Sequence, residues 1–202
     1  MVVVSIPPKP LSLQLPDQLA LCVTPEQFAA LAVVNRELRL ERTATGELIV
    51  NPPTGGNTGY RNSKINYFLV RWIEEEGGNG RAFDSSTGFE LPNGANHSPD
   101  AAWVSPDPWN ALTPEQQDGF IPLCPDFVVE LRSKSDTLQD LRSKMAEYIE
   151  NGAKLGWLID PKNKRVEIYR PGQGVEVLEN PKTLSGETVL PGFTLSLNRV
   201  WA

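Results

Sequence analysis

The chain has 202 residues, a net charge of −6, two cysteines and one histidine. A chain of this length fits one large domain or two very small ones, and folding removes roughly 70% of its unfolded surface from water, so it needs no disulfide or zinc staple. Cys22 and Cys124 stand far apart in no metal spacing, one histidine leaves little for a His-rich centre or a Ser-His-Asp triad, and an acidic chain has the wrong sign to coat nucleic acid by charge alone.

Residues 1–23 are Pro-rich (IPPKPLSLQLP) and read as an extended arm ahead of a single domain over 24–202. The opening MVVVS lacks the basic start and long apolar stretch of a signal peptide. No apolar run reaches the roughly 20 residues of a membrane span, so no membrane partner and a cytoplasmic setting are expected. Thr24-Pro25-Glu26-Gln27 is a helix start, with a capping Thr, Pro at the first helical position and Gln closing a capping box. It predicts a helix over 25–35. Residues 37–42 and 47–51 around Thr43-Ala44-Thr45-Gly46 predict a β-hairpin. A Pro/Gly loop follows, then a second helix over 60–76 with Ile65, Phe68, Leu69 and Trp72 at helical spacing, ended by Gly77-Gly78.

Short strands are expected at 80–84, 87–91 and 99–104, and then a long loop over 105–123. Phe127-Val128-Val129-Glu130-Leu131 is nearly all apolar and predicts a strand covered on both faces. Asp136 with Gln139 caps a third helix over 137–151, stopped by Asn151-Gly152. Strands follow at 155–160 and 165–169 around Pro161-Lys162-Asn163-Lys164, with short β segments at 175–178, 188–190 and 193–197. This order gives an α/β fold, a mixed β-sheet flanked by helices.

A carboxylate inside an apolar strand is costly unless paired or bound to a cation. Two segments carry such acids: Asp100 in Ser98-Pro99-Asp100-Ala101-Ala102-Trp103-Val104, and Asp126 and Glu130 around the apolar strand, where alternation puts Asp126, Glu130 and Arg132 on one face. On the third helix, Leu138, Leu141, Met145, Tyr148 and Ile149 make an apolar stripe. Lys144 flanks that stripe and can reach over the sheet edge. Two acids and a lysine at a sheet edge suit metal-dependent phosphodiester chemistry, with oxygen ligands on magnesium or manganese and a cation orienting water.

Plainer readings stand beside these. Asp100 caps a turn, Glu130 pairs with Arg132 or Arg142, and Lys144 is a solvated helix lysine. Tyr148 lines the site or packs in the core. Arg61 and Asn62 bind phosphate at the second helix's start or are simply its polar opening. His97 reads as a solvated loop histidine, Glu90 as a surface acid, Met145 as packing, and Trp103, Trp109 and Trp157 as core or interface.

From about residue 46 to 201 the chain resembles the Uma-two-type restriction-endonuclease family, also called domain of unknown function 820. The resemblance rests on GELIVNPPTGG (46–56), STGFELPNGANHSPDAAWV (86–104), CPDFVVELRSKSDTLQDLRSKMAEYIENGAKLGWLIDP (124–161), VEIYRPG (166–172) and VLPGF (189–193). The family is similar to the PD-(D/E)XK nuclease superfamily. This implies a restriction-endonuclease-like fold and Mg2+ (or Mn2+) as cofactor, and nucleic acid, with DNA first, as substrate. Residue by residue, Asp100 and Glu130 become metal ligands, with Leu131 lending a backbone carbonyl. The superfamily's strand lysine is Arg132 here, which cannot act as a base, so the resemblance moves the catalytic lysine to Lys144. Arg132, Tyr148, Arg61 and Asn62 become substrate-binding candidates. Members of this fold pair, so a homodimer is expected, with the arm and residues 103–123 as contact surfaces. The rival expectation is a non-catalytic nucleic-acid-binding or regulatory protein on the same fold.

Overall fold

The structure, a computed structural model, describes residues 20–201. Most of the expected arm, residues 1–19, lies outside them. The arm's last residues join the hairpin: Val23 N–H donates to the Gly46 carbonyl (2.8 Å) and Leu48 N–H to that of Leu21 (2.7 Å).

Helix α1 (Pro25–Val34) forms where the capping box predicts it, with Thr24 and Gln27 satisfying each other's backbone N–H groups. Strands β1 (Arg39–Arg42) and β2 (Leu48–Asn51) make the expected hairpin. Helix α2 (Gly56–Glu75) starts four residues earlier than predicted, with Gly55 as N-cap and no side-chain cap bond. It stops at Gly77, whose φ of +84° suits glycine. Strands β3 (Arg81–Asp84) and β4 (Phe89–Glu90) follow. Strand β5 (Asn96–His97) was not anticipated. Strand β6 (Ala101–Val104) is as expected.

The predicted loop 105–123 holds two short helices, α3 (Pro106–Asn110) and α4 (Pro114–Asp118). Trp109 and Leu112 in it pack against the core, which turns part of that expected contact surface inward. Strand β7 (Phe127–Leu131) is buried throughout. Helix α5 (Leu138–Glu150) is capped by Thr137, whose hydroxyl accepts from Asp140 N–H. Asp136 instead accepts from Ser133 N–H (2.7 Å). Strands β8 (Leu155–Asp160) and β9 (Arg165–Tyr169) match the prediction residue for residue. Strand β10 (Glu176–Glu179) pairs with β9. The last hairpin is β11 (Thr183–Ser185) with β12 (Thr194–Ser196), then a 3₁₀ turn at Leu197–Arg199. The expected strand at 188–190 is a turn.

The main sheet runs β10-β9-β8-β7-β6-β3, and only β7 and β8 are parallel. Parallel neighbours need a crossover, and α5 supplies it. A second sheet runs β2-β1-β5-β4. Alternation along β7 sorts the core into two layers. Phe127, Val129 and Leu131 face α2 and the C-terminal hairpin, through Ile65, Leu69, Trp72 and Phe193. Val128 faces α5, through Met145 and Tyr148. Each such large side chain, fully buried, contributes about 1.5–3 kcal/mol. Gly156 on β8 lets α5 come close, since a Cβ there would collide with the Met145 side chain. Among the described residues, no helix is long and apolar enough to cross a membrane.

Candidate active site

Strands β6 and β7 are antiparallel with Ala101 opposite Val129. The same register carried one residue further sets Asp100 opposite Glu130, at the sheet end where β6 begins and β7 finishes. Leu131 N–H donates to Asp100 Oδ2 (2.8 Å), and Asn62 on α2 donates through Nδ2 to Oδ1 (2.6 Å). Asn66 holds the Asp100 backbone carbonyl (3.0 Å).

Glu130 continues the Val128 face, toward α5. It is 5% exposed. The Tyr148 hydroxyl donates to its Oε1 (3.0 Å), and Lys144 Nζ lies 2.9 Å from the same oxygen. Lys144 also reaches Glu41 Oε1 on β1 (3.0 Å). Lys144 is therefore a mostly buried cation between two buried acids, not a solvated helix lysine. Glu130 pairs with neither arginine proposed for it: Arg132 takes Asp160 (2.7 Å) and Arg142 takes Glu167. The expected common face of Asp126, Glu130 and Arg132 does not persist. Asp126 is tied to Ser105 N–H and Lys154 (both 2.7 Å), and Arg132, beyond the end of β7, turns to β8.

The other candidates sort by contact. Tyr148 is fully buried and serves Glu130, so it cannot face a substrate. Asn62 is 7% exposed and holds Asp100, while its Oδ1 has no hydrogen-bond partner. Arg61 donates through Nε to the Val200 carbonyl (2.8 Å). Glu90 is exposed, and Met145, Trp103 and Trp157 are core.

Sequence reading does not show two residues of the site. Glu41 is buried at the site, and Ser98 N–H donates to its Oε1 (2.9 Å). His97, expected in solvent, is 4% exposed, with Nε2 2.7 Å from Glu147 Oε2 and Nδ1 3.5 Å from Glu41 Oε2. Beside them opens a cleft of about 910 Å³ between the hairpin and α5. Its walls carry the acids Glu41, Glu47, Asp136, Asp140, Glu147 and Glu150 against Lys144 and His97.

The charges are tightly linked. Burial drives Glu130 up, Lys144 opposes, and the charges of Asp100 and Glu41 add to burial, so its carboxyl is pushed up to about 7. Burial also raises Asp100, offset only in part by the Leu131 and Asn62 donors. Burial alone would depress Lys144, but Glu130 and Glu41 outweigh it and hold the ammonium protonated. Burial would raise Glu41, yet the Lys144 charge, the nearby His97 and the Ser98 N–H donor keep it far below the usual carboxylate range.

His97 would be lowered by burial, but its hydrogen bond to Glu147 and the nearby Glu41 carboxylate leave it raised above 6.5. As the only histidine, it gives a single imidazole NMR signal. That signal is expected to titrate above 6.5, and Glu147→Gln is expected to lower the midpoint. A wild-type midpoint at or below 6.5 contradicts the buried clamp.

Among the described residues, no group of three or more His, Cys, Asp or Glu is arranged to hold a metal ion. Asp100 and Glu130 stand opposite each other across β6 and β7, the Asp100 charge acts on Glu130, and donors on α2 and α5 hold one each.

No curated protein matches the chain. A solved structure from Anabaena variabilis, described as "a putative nuclease belonging to DUF820", superposes with a TM-score of 0.67. The match covers 80% of this chain and 89% of that one at 22% identity. At that identity the likeness speaks to fold, and the two chains share a mixed α/β fold. The sequence profile of the Uma2 family, described as "Putative restriction endonuclease", matches residues 25–198. Since that match runs from α1 into the final 3₁₀ turn, the chain belongs to the Uma2 family.

Proposed function

We propose that the chain is a metal-dependent nuclease that hydrolyses phosphodiester bonds of nucleic acid, DNA in the first instance, with its site at the β6–β7 sheet end. The observation that carries this reading is the Lys144 ammonium lodged between Glu41 and Glu130, with Asp100 opposite Glu130. Paired hard-oxygen donors fit a hard divalent cation, because magnesium is commonly held by one or two carboxylates with substrate phosphate completing its shell. Burial, with the charges of Asp100 and Glu41 added to it, raises Glu130, and such a cation would favour its ionised form. Asp100, Glu130 and the Leu131 carbonyl would hold Mg2+ or Mn2+. The ion, when bound, polarises phosphate and acidifies water.

Asn62 and the Leu131 amide orient Asp100, and Tyr148 orients Glu130. Lys144 stays protonated, so it acts as a fixed positive charge that orients water and balances charge growing on phosphate. Arg132 has no place beside the reacting phosphate, because Asp160 holds it.

The six acids of the cleft repel a phosphate backbone. We therefore read the substrate as arriving from the α2 side, where the Arg39 charge acts on Asp100 and Arg61 and Asn62 stand near the helix start. A homodimer and a cytoplasmic setting belong to the same proposal. The exposed Val33, Val34 and Leu38 are available to a dimer contact.

The test is a cleavage panel of double- and single-stranded DNA and RNA with magnesium, manganese or EDTA. Wild-type protein is expected to cut at least one substrate in metal alone, and Asp100→Asn to cut none. Cleavage in EDTA, or equal cleavage by Asp100→Asn, rejects the reading. A panel left intact under every metal favours the non-catalytic rival.

A further inference from the structure

Glu41 has no role in the chemistry set out above, yet it is among the most completely engaged side chains at the site. Its Oε1 takes Lys144 Nζ (3.0 Å) and Ser98 N–H (2.9 Å), and its Oε2 lies 3.5 Å from His97 Nδ1. His97 Nε2 in turn meets Glu147 Oε2 (2.7 Å), and Asn93 fixes the other Glu147 oxygen (2.7 Å). A file of alternating charge results: Glu147, His97, Glu41, Lys144, Glu130. It runs from the cleft wall to the sheet end and joins β5, β1 and β7 to α5.

Lys144 has two carboxylate partners, and one of them, Glu130, is the group assigned to a divalent cation. An ammonium on a flexible four-carbon stem that lost its only partner would leave the site whenever the cation arrived. Glu41 removes that problem, since it sits on a different strand and is braced from behind. A buried carboxylate is also an expensive way to achieve packing alone, because an apolar residue of similar size is commonly neutral or better.

We propose that Glu41 is a positioning residue for Lys144, retaining its ammonium at the site while Glu130 engages another cation, with His97 and Glu147 fixing Glu41 in turn. The inference rests on the nuclease reading above. Glu41 is not placed as a metal ligand, because its Oε1 already takes Lys144 and Ser98 N–H, and His97 stands 3.5 Å from its Oε2. Glu41→Gln is the sparing substitution, since an amide oxygen still accepts from Ser98 N–H.

The experiment uses the full chain in four forms: wild type, Glu41→Gln, Lys144→Met and the double variant. Each is assayed for manganese-dependent cleavage, for manganese affinity by calorimetry and for melting temperature. Glu41→Gln is expected to lower kcat about 10- to 100-fold, with KM and manganese Kd changed less than about threefold. The double variant should be no slower than Lys144→Met, because Glu41 acts through the lysine. Its melting temperature should fall by less than the two single shifts together.

Multiplying losses of kcat, additive melting shifts, or manganese binding weakened about tenfold by Glu41→Gln even in the Lys144→Met background would overturn the inference. So would wild-type kcat in a folded Glu41→Gln. In each case cleavage by the wild type persists and the nuclease reading survives. Absence of cleavage by the wild type is a different result, which removes that reading and the inference with it.

Discussion

Replacing Lys144 with methionine is expected to slow cleavage about 100- to 1000-fold, the usual cost of removing one fixed charge or donor from a developing anion. It should also destabilise the protein. Glu41 and Glu130 are both nearly buried and share this one ammonium, and breaking a buried pair from one side costs about 3–5 kcal/mol. Glu130 has an escape that Glu41 lacks, since its carboxyl already titrates near 7 and can take up a proton. The stability loss should therefore be larger at pH 8 than at pH 5.5, as read by urea unfolding at both. Arg132→Ala should change cleavage only a few-fold, because its partner is Asp160. A Lys144→Met protein as stable as wild type at pH 8, or a dead Arg132→Ala, would mean that the wrong cation has been placed at the site.

Raising the pH from 5 to 8 is expected to lower the melting temperature of the metal-free protein. Glu130 has a folded pKa of about 7 against an ordinary 4.5. Between those values the folded chain keeps a proton that the unfolded chain gives up, so stability falls as pH rises through the window. Each pKa unit is worth about 1.4 kcal/mol, and the fall amounts to a few kcal/mol. His97 acts in the same direction higher up. Its raised pKa gives stability that is full below 6.5 and lost as pH climbs through the folded value. Glu41 and Glu147, both depressed, act at the acid end, where stability is lost as pH drops below about 4.5.

Maximum stability should thus lie near pH 5. Glu130→Gln should flatten the decline between pH 5 and 7 while abolishing cleavage. Millimolar manganese should raise the melting temperature more at pH 8 than at pH 5.5, because only the ionised carboxylate is a ligand and binding to the folded state stabilises it. A melting temperature that rises from pH 5 to 7 in metal-free wild type would contradict the placement of Glu130.

The strongest sequence signals were those with a local cause. The apolar run at 127–131, the stripe of the third helix and the hairpin 155–169 all depend on periodicity and turn residues, and they stand where they were expected. Thr24-Pro25-Glu26-Gln27 announced α1, and the same four residue types recur at Thr113-Pro114-Glu115-Gln116, where they open α4 with the same capping box. That second signal is equally legible, although it stands inside a Pro-rich stretch. Thr137 took the cap from Asp136 because Asp140 then closes the turn.

Glu41 and His97 were hidden for a different reason. In Arg39-Leu40-Glu41-Arg42 the charges read as a solvent-facing hairpin edge. Burial there comes from β5, a two-residue strand too short to show any period, which pairs with β1 through Arg42 and Asn96. Once β5 is in place, His97 and Glu41 are enclosed together. Family likeness names the acids and lysine of the site, and the register of β6 on β7 sets the two acids opposite each other. The Lys144–Glu41 pair is a contact between residues 103 positions apart, which no local pattern encodes.

The most direct measurement of the central claim is anomalous diffraction from crystals grown at pH 8 with manganese and a short DNA duplex. The account predicts one manganese peak at the sheet end, within about 2.0–2.6 Å of a carboxylate oxygen from Asp100 and another from Glu130, with the Lys144 ammonium still on Glu41. A duplex bound with no peak between those carboxylates, or with manganese held elsewhere on the chain, would contradict it.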